Sequence, residues 1–462
     1  MNLGYDLMDY KSILDEIKPT EEEKEKVLEV SAKLLDFLND KCHEDNIDAE
    51  AVLVGSVAKG TYLRGKSDID IFMAFPLTTD IKDLKQIGLN LAHQCCNAFN
   101  SIAYHQFASH PYVTTEIDGF EIDFVPCYKI DDGSQLKSAV DRTILHTKFV
   151  QANLSEAQKE EVLLLKRFMD MTGTYGSEFK VGGFAGYLCE LLIIKYGSFE
   201  NTLKEASEWK FSHVIDLKNY GTAENFKDPL ICIDPTDKNR NVGAALRIDK
   251  FSQFIQSARN YLDSKNKKEY FYPLNKSLDK NIILNEFKSR GSKVIAIKFD
   301  IPEIPLDTLH PQLKKTADSI KRILNKNDFL VFQVDYWTDE VNSAVILLEL
   351  IVFKLNAIKI HQGPKIFYKQ ACDNFIDKFG LENCYVLDDF LVSNVEREFT
   401  TPQDFISHIL SEKFISRIKV GKNLSEPILN TYEILEVEKL ANDEDILVFL
   451  DDFLYPNQYI RR

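Results

Sequence analysis

The sequence has no apolar run long enough to cross a membrane. Its most apolar stretches are 343–353, interrupted by Glu349, and 181–197, which carries Glu190 and Lys195; a spanning helix needs about 20 predominantly apolar residues. The opening MNLGYDLMDYKS has no basic segment followed by an apolar one, so it does not read as a secretory leader. Cysteine occurs at eight positions (42, 95, 96, 127, 189, 232, 372 and 384), with no CxxC pair and no Cys/His ligand spacing. That pattern argues against zinc and for buried thiols in a reducing cytoplasm. Only 14 Pro and 19 Gly among 462 residues exclude fibrous or linker-dominated architectures. Positive charge is in deficit: 56 Lys and Arg face 72 Asp and Glu, a formal charge of -16. Net charge alone disfavours a nucleic-acid partner, but it leaves local basic patches open.

What is present is ordinary globular composition, 44% hydrophobic and 28% charged, over a length that suggests roughly three domains. Thr20 caps a helix whose apolar stripe is Val27, Val30, Leu34, Leu35 and Leu38. Short strands are expected at 50–54 and 68–75, a helix at 83–99, and a hairpin whose arms 112–117 and 121–125 flank Asp118-Gly119. The chain then turns helical from 138 to about 259, with one short strand at 230–234. The charged stretch 265–272 reads as a boundary. Beyond it come strands at 293–299, 329–335 and 344–353, a lysine-bearing helix at 311–326, and a mostly helical end from 401 that is acidic between 433 and 452.

Two features carry chemistry. Strand 50–54 runs into Gly55-Ser56, and eleven residues later comes Asp68-Ile69-Asp70. Residues i and i+2 of a strand share a face, so Asp68 and Asp70 point together while Ile69 and Ile71 face the core. Two carboxylates on one rigid face can bridge a pair of hard divalent cations. Asp123 alternates correctly within 121–125 to supply a third from a neighbouring strand. Gly55 permits close backbone approach to a phosphate, Ser56 adds a hydroxyl, and Lys59 adds charge. A lone DxD is usually a solvated strand face; the combination is far more specific.

The combination resembles the nucleotidyltransferase superfamily typified by DNA polymerase β. Further motifs resemble the archaeal-type (class I) CCA-adding enzymes: Asp141-Arg142-Thr143 followed by His146, the run 163–168 centred on Lys166, Tyr175-Gly176, GGFAGYLCE at 182–190 and DPTDKNRNV at 234–242. LHPQL at 309–313, Gly363-Pro364, FTTP at 399–402 and Gly421-Lys422-Asn423 extend the likeness along essentially the whole chain. Class II CCA-adding enzymes lack this C-terminal architecture.

The resemblance implies an α+β protein with a polymerase β-like catalytic head (1–137), a helical neck that reads the nucleotide (138–264), a body (265–292 and 380–462) and an α/β tail that binds tRNA (293–379). It implies template-independent addition of C, C and A to the tRNA 3′ end from CTP and ATP, with release of pyrophosphate. Asp68, Asp70 and Asp123 would bind Mg²⁺; some members have Glu at the first of these. Gly55, Ser56 and Lys59 would hold the triphosphate; many members have Arg at the last, and Lys keeps the charge but loses the fork. Thr143, His146, Lys166 and Tyr175 would contact the incoming nucleotide, and Arg240 its base. Lys314, Lys315, Lys321 and Arg322 are the RNA-binding candidates, a local basic surface on an acidic protein. Other basic candidates are Lys265, Lys267, Lys268, Lys288, Arg290 and Lys293. The partners implied are the tRNA acceptor arm, CTP and ATP, in the cytoplasm and without a membrane; a homodimer stays open, since family members commonly pair through the tail. Glu190 and its neighbouring glycines read as structural. The competing readings are a template-independent polymerase that adds only A, such as a poly(A) polymerase or an oligoadenylate synthetase, and a non-catalytic RNA-binding module on a transferase scaffold.

Overall fold

The structure is a computed structural model describing residues 10–107, 111–274, 276 and 278–461; most of the stretch read above for a leader lies outside these. The chain divides into two compact units, Met1–Asn275 with Asn457–Arg462, and Lys276–Pro456.

In the first unit, β1 (Glu50–Val54), β2 (Ile69–Phe75), β3 (Tyr104–Phe107), β4 (Pro111–Ile117) and β5 (Phe120–Tyr128) form a sheet in the order β1-β2-β5-β4-β3. β2 and β5 pair parallel; the other neighbours are antiparallel. Asp118 and Gly119 take φ of 54° and 82° between β4 and β5, the left-handed pair that a two-residue hairpin needs. The helices of this part are α1 (Tyr10–Ile17), α2 (Glu21–Glu44), α3 (Gly55–Lys59) and α4 (Ile81–Ala98). Thr20 and Glu23 close a capping box at the start of α2, worth about 1 kcal/mol. Val27, Val30, Leu34 and Leu38 of α2 share one core with Leu84, Leu91 and Ala92 of α4 and Ile69, Ile71 and Met73 of β2.

A second core in the same unit is built by α5 (Arg142–Asn153), α6 (Glu156–Met171), α7 (Gly186–Tyr196), α8 (Phe199–Ser207) and α9 (Ile248–Asp263). With them goes a small sheet of β6 (His213–Asp216), β7 (Leu230–Asp234) and β8 (Asp237–Asn241). Asp141, fully buried, accepts the amides of Tyr128, Lys137 and Ser138, so the end of β5 and the start of α5 are tied by one carboxylate.

The second unit holds α10 (Lys280–Ser289), β9 (Lys293–Asp300), α11 (Leu306–Lys326), β10 (Val331–Thr338), β11 (Ser343–Leu350), β12 (Ile358–Lys365), α12 (Lys369–Phe379), β13 (Cys384–Leu387), β14 (Phe390–Glu396), α13 (Pro402–Ile409) and β15 (Glu433–Glu436). Two sheets result, β10-β11-β9-β15 and β12-β14-β13. α11 begins at Leu306 and includes Pro311, upstream of the start expected at that proline.

The α+β class expected from the sequence holds, but the expected domain bounds differ from the structural groupings in three places. The charged stretch 265–272 contains Tyr270 and Phe271, both fully buried in the core of α6 and α9, so it belongs to the first unit, whose division from the second falls just after it, at Asn275. Ile13 and Ile17 of α1 join that same core rather than the one under the five-stranded sheet. The segment 293–379 is split between the two sheets of the second unit, because β15 completes the sheet of β9 to β11 and β14 pairs with β12.

Candidate active site

β1 delivers the chain into Gly55, the first residue of α3. Gly55 has φ of +73°, and a Cβ there would stand 1.9 Å from Oδ2 of Asp70. Glycine is therefore required twice, by its backbone and by the carboxylate packed on it. Asp70, on β2, is in parallel register with Asp123 on β5, which puts the two carboxylates side by side on one face. Asp68 lies exposed, one residue before β2 begins. Burial, then the charges of Asp123 and Asp68, push the Asp70 carboxyl up to about 7, against a downward pull from Lys59. Asp123 is raised by burial and by Asp68, while a 2.5 Å hydrogen bond from the Thr114 hydroxyl works the other way. Among the described residues no three His, Cys, Asp or Glu side chains are gathered closely enough to hold a metal as they stand. The donor set still fits a hard divalent cation: it is oxygen only, and the like charges that raise Asp70 and Asp123 are what a cation would relieve. Beside Asp68, the residues Ser67, Tyr104, Thr114, Thr115 and Glu121 help line an open cleft of about 430 Å³.

The basic side of the site is buried. Lys59, at the end of α3, donates to Glu190 Oε2 at 2.6 Å. Lys166, in the middle of α6, donates to the Thr61 carbonyl at 2.7 Å and lies 3.7 Å from Glu190 Oε1. Thr61 donates its hydroxyl to the same Glu190 oxygen at 2.5 Å. Burial pulls the Lys166 ammonium down, with Glu190 supporting its proton. Tyr175 Oη and Lys166 Nζ converge on the first turn of α7: a Cβ on Gly186 would meet them at 3.3 and 3.4 Å.

A second cluster surrounds Asp234 at the end of β7, a carboxylate with no exposed surface. Its Oδ2 takes His146 Nε2 and Arg240 Nη1, both at 2.8 Å. Its Oδ1 takes the amide and hydroxyl of Thr236 at 2.9 and 2.8 Å. Burial opposes the Asp234 charge, but His146 and Thr236 hold its pKa well below the usual carboxylate range. His146 is itself pushed down by burial, against the pull of Asp234. The two directions are consistent if Arg240 supplies the positive charge and neutral His146 donates its Nε2–H. The His146 ring stacks on Tyr187 at 3.9 Å, and Lys59 Nζ lies 5.9 Å from that same ring. Tyr187 thus sits between the two clusters. Ser56 and Thr143 are both half-buried, in α3 and in the first turn of α5.

Residues 32–146, which include the five-stranded sheet with its paired aspartates and glycine turn, match the family described as the nucleotidyltransferase domain. Residues 160–272 match "tRNA nucleotidyltransferase, second domain", and residues 290–437 match "CCA-adding enzyme, C-terminal domain". The CCA-adding enzyme of Methanothermobacter thermautotrophicus is 44% identical over 98% of this chain and 99% of its own. The chain belongs to the CCA-adding enzyme family. The CCA-adding enzymes of Methanosarcina barkeri (36% identical, over 92% of this chain and 93% of its own) and Methanocaldococcus jannaschii (36%, over 87% and 90%) are further relatives. It is therefore a tRNA nucleotidyltransferase, and no helix among its described residues is long and apolar enough to cross a membrane.

The first unit of the enzyme thus contains Gly55, Ser56, Lys59, Asp68, Asp70, Asp123, Thr143, His146, Lys166, Tyr175 and Arg240. Lys314, Lys315, Lys321 and Arg322 lie on α11 in the second. Lys314, Lys315 and Arg322 are exposed; Lys321 is half-buried and reaches the Phe332 carbonyl at 3.4 Å, while Arg322 meets Ser319 Oγ at 3.2 Å. Sequence reasoning did not single out Thr61, Tyr187 or Asp234, and it set Glu190 aside as structural. A signal was available for two of them: an acidic residue inside an apolar helix, as in YLCELLII, and an acidic end to the apolar strand LICID both demand a buried partner.

Proposed function

We propose that the enzyme adds C, C and A to the 3′ end of tRNA from CTP and ATP without a nucleic-acid template, and that Asp68, Asp70 and Asp123 hold the Mg²⁺ ions this needs. The observation that carries the reading is the parallel register of Asp70 with Asp123, next to the Gly55 turn. It offers a carboxylate face to phosphates whose α-phosphorus is attacked by the terminal 3′-hydroxyl. The new bond is from that oxygen to phosphorus; the bond to the bridging oxygen breaks, pyrophosphate leaves and the hydroxyl proton is lost. Divalent cations, when bound, neutralise phosphate charge and acidify the attacking hydroxyl.

The chain's own residues bind and orient. Asp123, raised by its surroundings and hydrogen-bonded by Thr114, is fixed beside Asp70 at the reacting end. Lys59 and Lys166 neutralise the triphosphate, with Ser56, Thr143 and Tyr175 as further polar contacts. His146 and Arg240, held on one carboxylate, present a neutral N–H group and a guanidinium to the nucleotide, with Arg240 meeting the base. The exposed basic face of α11 supports binding of the tRNA acceptor arm through phosphates, by shape more than by sequence. The enzyme works in the cytoplasm. Head, neck, body and tail remain useful names for these roles.

A tRNA transcript lacking its CCA end, Mg²⁺, and each nucleoside triphosphate singly or CTP with ATP test the reading on a gel. Extension by three nucleotides only with CTP and ATP together, stopping there and lost in Asp70→Asn, is expected. A-only addition, or long A tails on any RNA, would move the enzyme to the polymerase class. Bound tRNA with no extension would leave only an RNA-binding module.

A further inference from the structure

Glu190 has no exposed surface, and three elements converge on it. Lys59 comes from α3, Thr61 from the segment just after it, and Lys166 from α6. One carboxylate therefore serves two ammonium groups where water is excluded. A structural ion pair needs one of each. The second ammonium is in excess, and buried charge is retained only where something compensates it. Lys166 finds a carbonyl, that of Thr61, but a carbonyl offers a dipole and not a charge. The missing partner is an anion.

We propose that Glu190 is a positioning residue for the nucleotide's polyphosphate: it fixes Lys59 and Lys166 side by side and leaves the cluster with one uncompensated positive charge, so that it is completed by the incoming phosphates. This rests on the reading that these two lysines hold the triphosphate. Glu190 touches no substrate itself. Its carboxylate sets where the two ammonium groups stand, and Thr61 locks its second oxygen so that the carboxylate cannot turn toward one lysine alone. Burial also drives Lys166 toward its neutral form, with Glu190 opposing; loss of the carboxylate would loosen both the place and the charge of that lysine.

The test uses the full-length protein and a tRNA transcript lacking CCA, well below the melting temperature of every variant. In Glu190→Gln, kcat/KM for CTP and for ATP should fall about tenfold to a hundredfold, by analogy with the loss of a group that orients a metal ligand. The dissociation constant for CTP without tRNA, by titration calorimetry, should rise, and KM for tRNA should stay unchanged. Glu190→Asp keeps the charge but is too short to span both lysines, so it should recover part of the loss. Adding Glu190→Gln to Lys166→Met should cost less than in the wild type, because the partner it acts through is gone. If Glu190→Gln melts lower yet keeps wild-type kinetics and CTP affinity, Glu190 is merely structural and the proposal is overturned. If Glu190→Gln does not fold, Glu190→Asp decides alone, and wild-type nucleotide kinetics there would also overturn it. Lys59→Met and Lys166→Met separate the two levels. If both leave the CTP dissociation constant unchanged, the triphosphate reading itself falls. If both raise it and Glu190→Gln does not, only the positioning role falls.

Discussion

Gly55→Ala tests whether the geometry of the carboxylate face, rather than its mere composition, sets activity. Two costs follow from the structure. The backbone stands at φ of +73°, where an alanine pays roughly 1–2 kcal/mol. The added methyl would stand 1.9 Å from Asp70 Oδ2 and 2.9 Å from its Cγ. Ordinary contact is about 3.5 Å, so the carboxylate must retreat by roughly 1.6 Å. A displacement of about 1 Å at a reacting group can cost on the order of a hundredfold in rate. Gly65 is the control: its φ is also +73°, and a Cβ there meets nothing within 4 Å. Both variants should lose a few degrees in Tm through the backbone, and Gly55→Ala more, because it also carries the clash with Asp70. Only Gly55→Ala should lose about a hundredfold or more in kcat for CTP addition, with tRNA affinity retained in both. The assay is single-turnover extension of a tRNA lacking CCA at a temperature where both variants are folded. A Gly55→Ala enzyme within threefold of Gly65→Ala would refute the idea that close packing of Gly55 on Asp70 matters to the chemistry.

Three other outcomes follow from the second cluster and from α11. Asp234→Asn removes the charge that Arg240 pairs with and leaves one acceptor oxygen for His146, Arg240 and Thr236 together; because Arg240 is partly solvated, the loss should be about 2 kcal/mol rather than the full cost of breaking a buried pair, read by urea denaturation. In an Asp70→Asn background, which removes the opposite contribution of a carboxyl raised to about 7, stability should also fall as the pH drops below about 6.5: His146 and His213 are lowered by burial from a starting value of 6.5, so the unfolded chain binds protons the folded chain resists, and the stability they contribute above that pH is lost below it. Melting curves between pH 7.5 and 5.5 should show the decline, less steep in His146→Gln, and an unchanged slope in that variant would contradict the assignment. Charge reversal of the exposed Lys314 and Lys315 should weaken tRNA binding, leave KM for CTP unchanged, and reduce the slope of log affinity against log salt by about 1.5; an unchanged slope would remove α11 from the RNA footprint.

Local grammar was legible where few residues decide the outcome. Thr20 with Glu23 fixes one helix start, Asp118-Gly119 fixes one hairpin, and the alternation of apolar residues fixes β2 and β5. Alternation also says which way Asp70 and Asp123 face. It does not say that β5 lies parallel to β2, which needs knowledge of sheet order. The boundary read at 265–272 falls short of the division at Asn275 for a related reason. Two buried aromatics outweigh four charged neighbours, and only tertiary packing shows which two. The small strands β6, β8, β12 and β15 were missed because their apolar content is low or interrupted. His213–Asp216 and Asp237–Asn241 owe their pairing to β7 between them, not to their own propensity.

The electrostatic plan of the site was the least legible part, because it is made of long-range pairs. Each basic residue that the sequence nominates for the nucleotide already has an internal partner: Lys59 and Lys166 share Glu190, while Arg240 and His146 share Asp234. Such pairing keeps positive charge in a water-poor place, where an isolated ammonium would lose its proton. On the proposed reading, an incoming nucleotide would gain attraction from groups already held in position, with little side-chain entropy left to lose. A reading from residue types alone treats the two acids as core oddities and the four bases as independent contacts. The structure makes them two clusters on either side of the Tyr187 ring, with the same consequence for both: removing either acid should disturb two of the proposed nucleotide contacts at once. Double variants within a cluster should then be markedly less than additive, and those across clusters nearly additive unless Tyr187 couples them. Phe at position 187 keeps the stacking ring, whereas Ala removes it, so comparing the two measures that coupling directly.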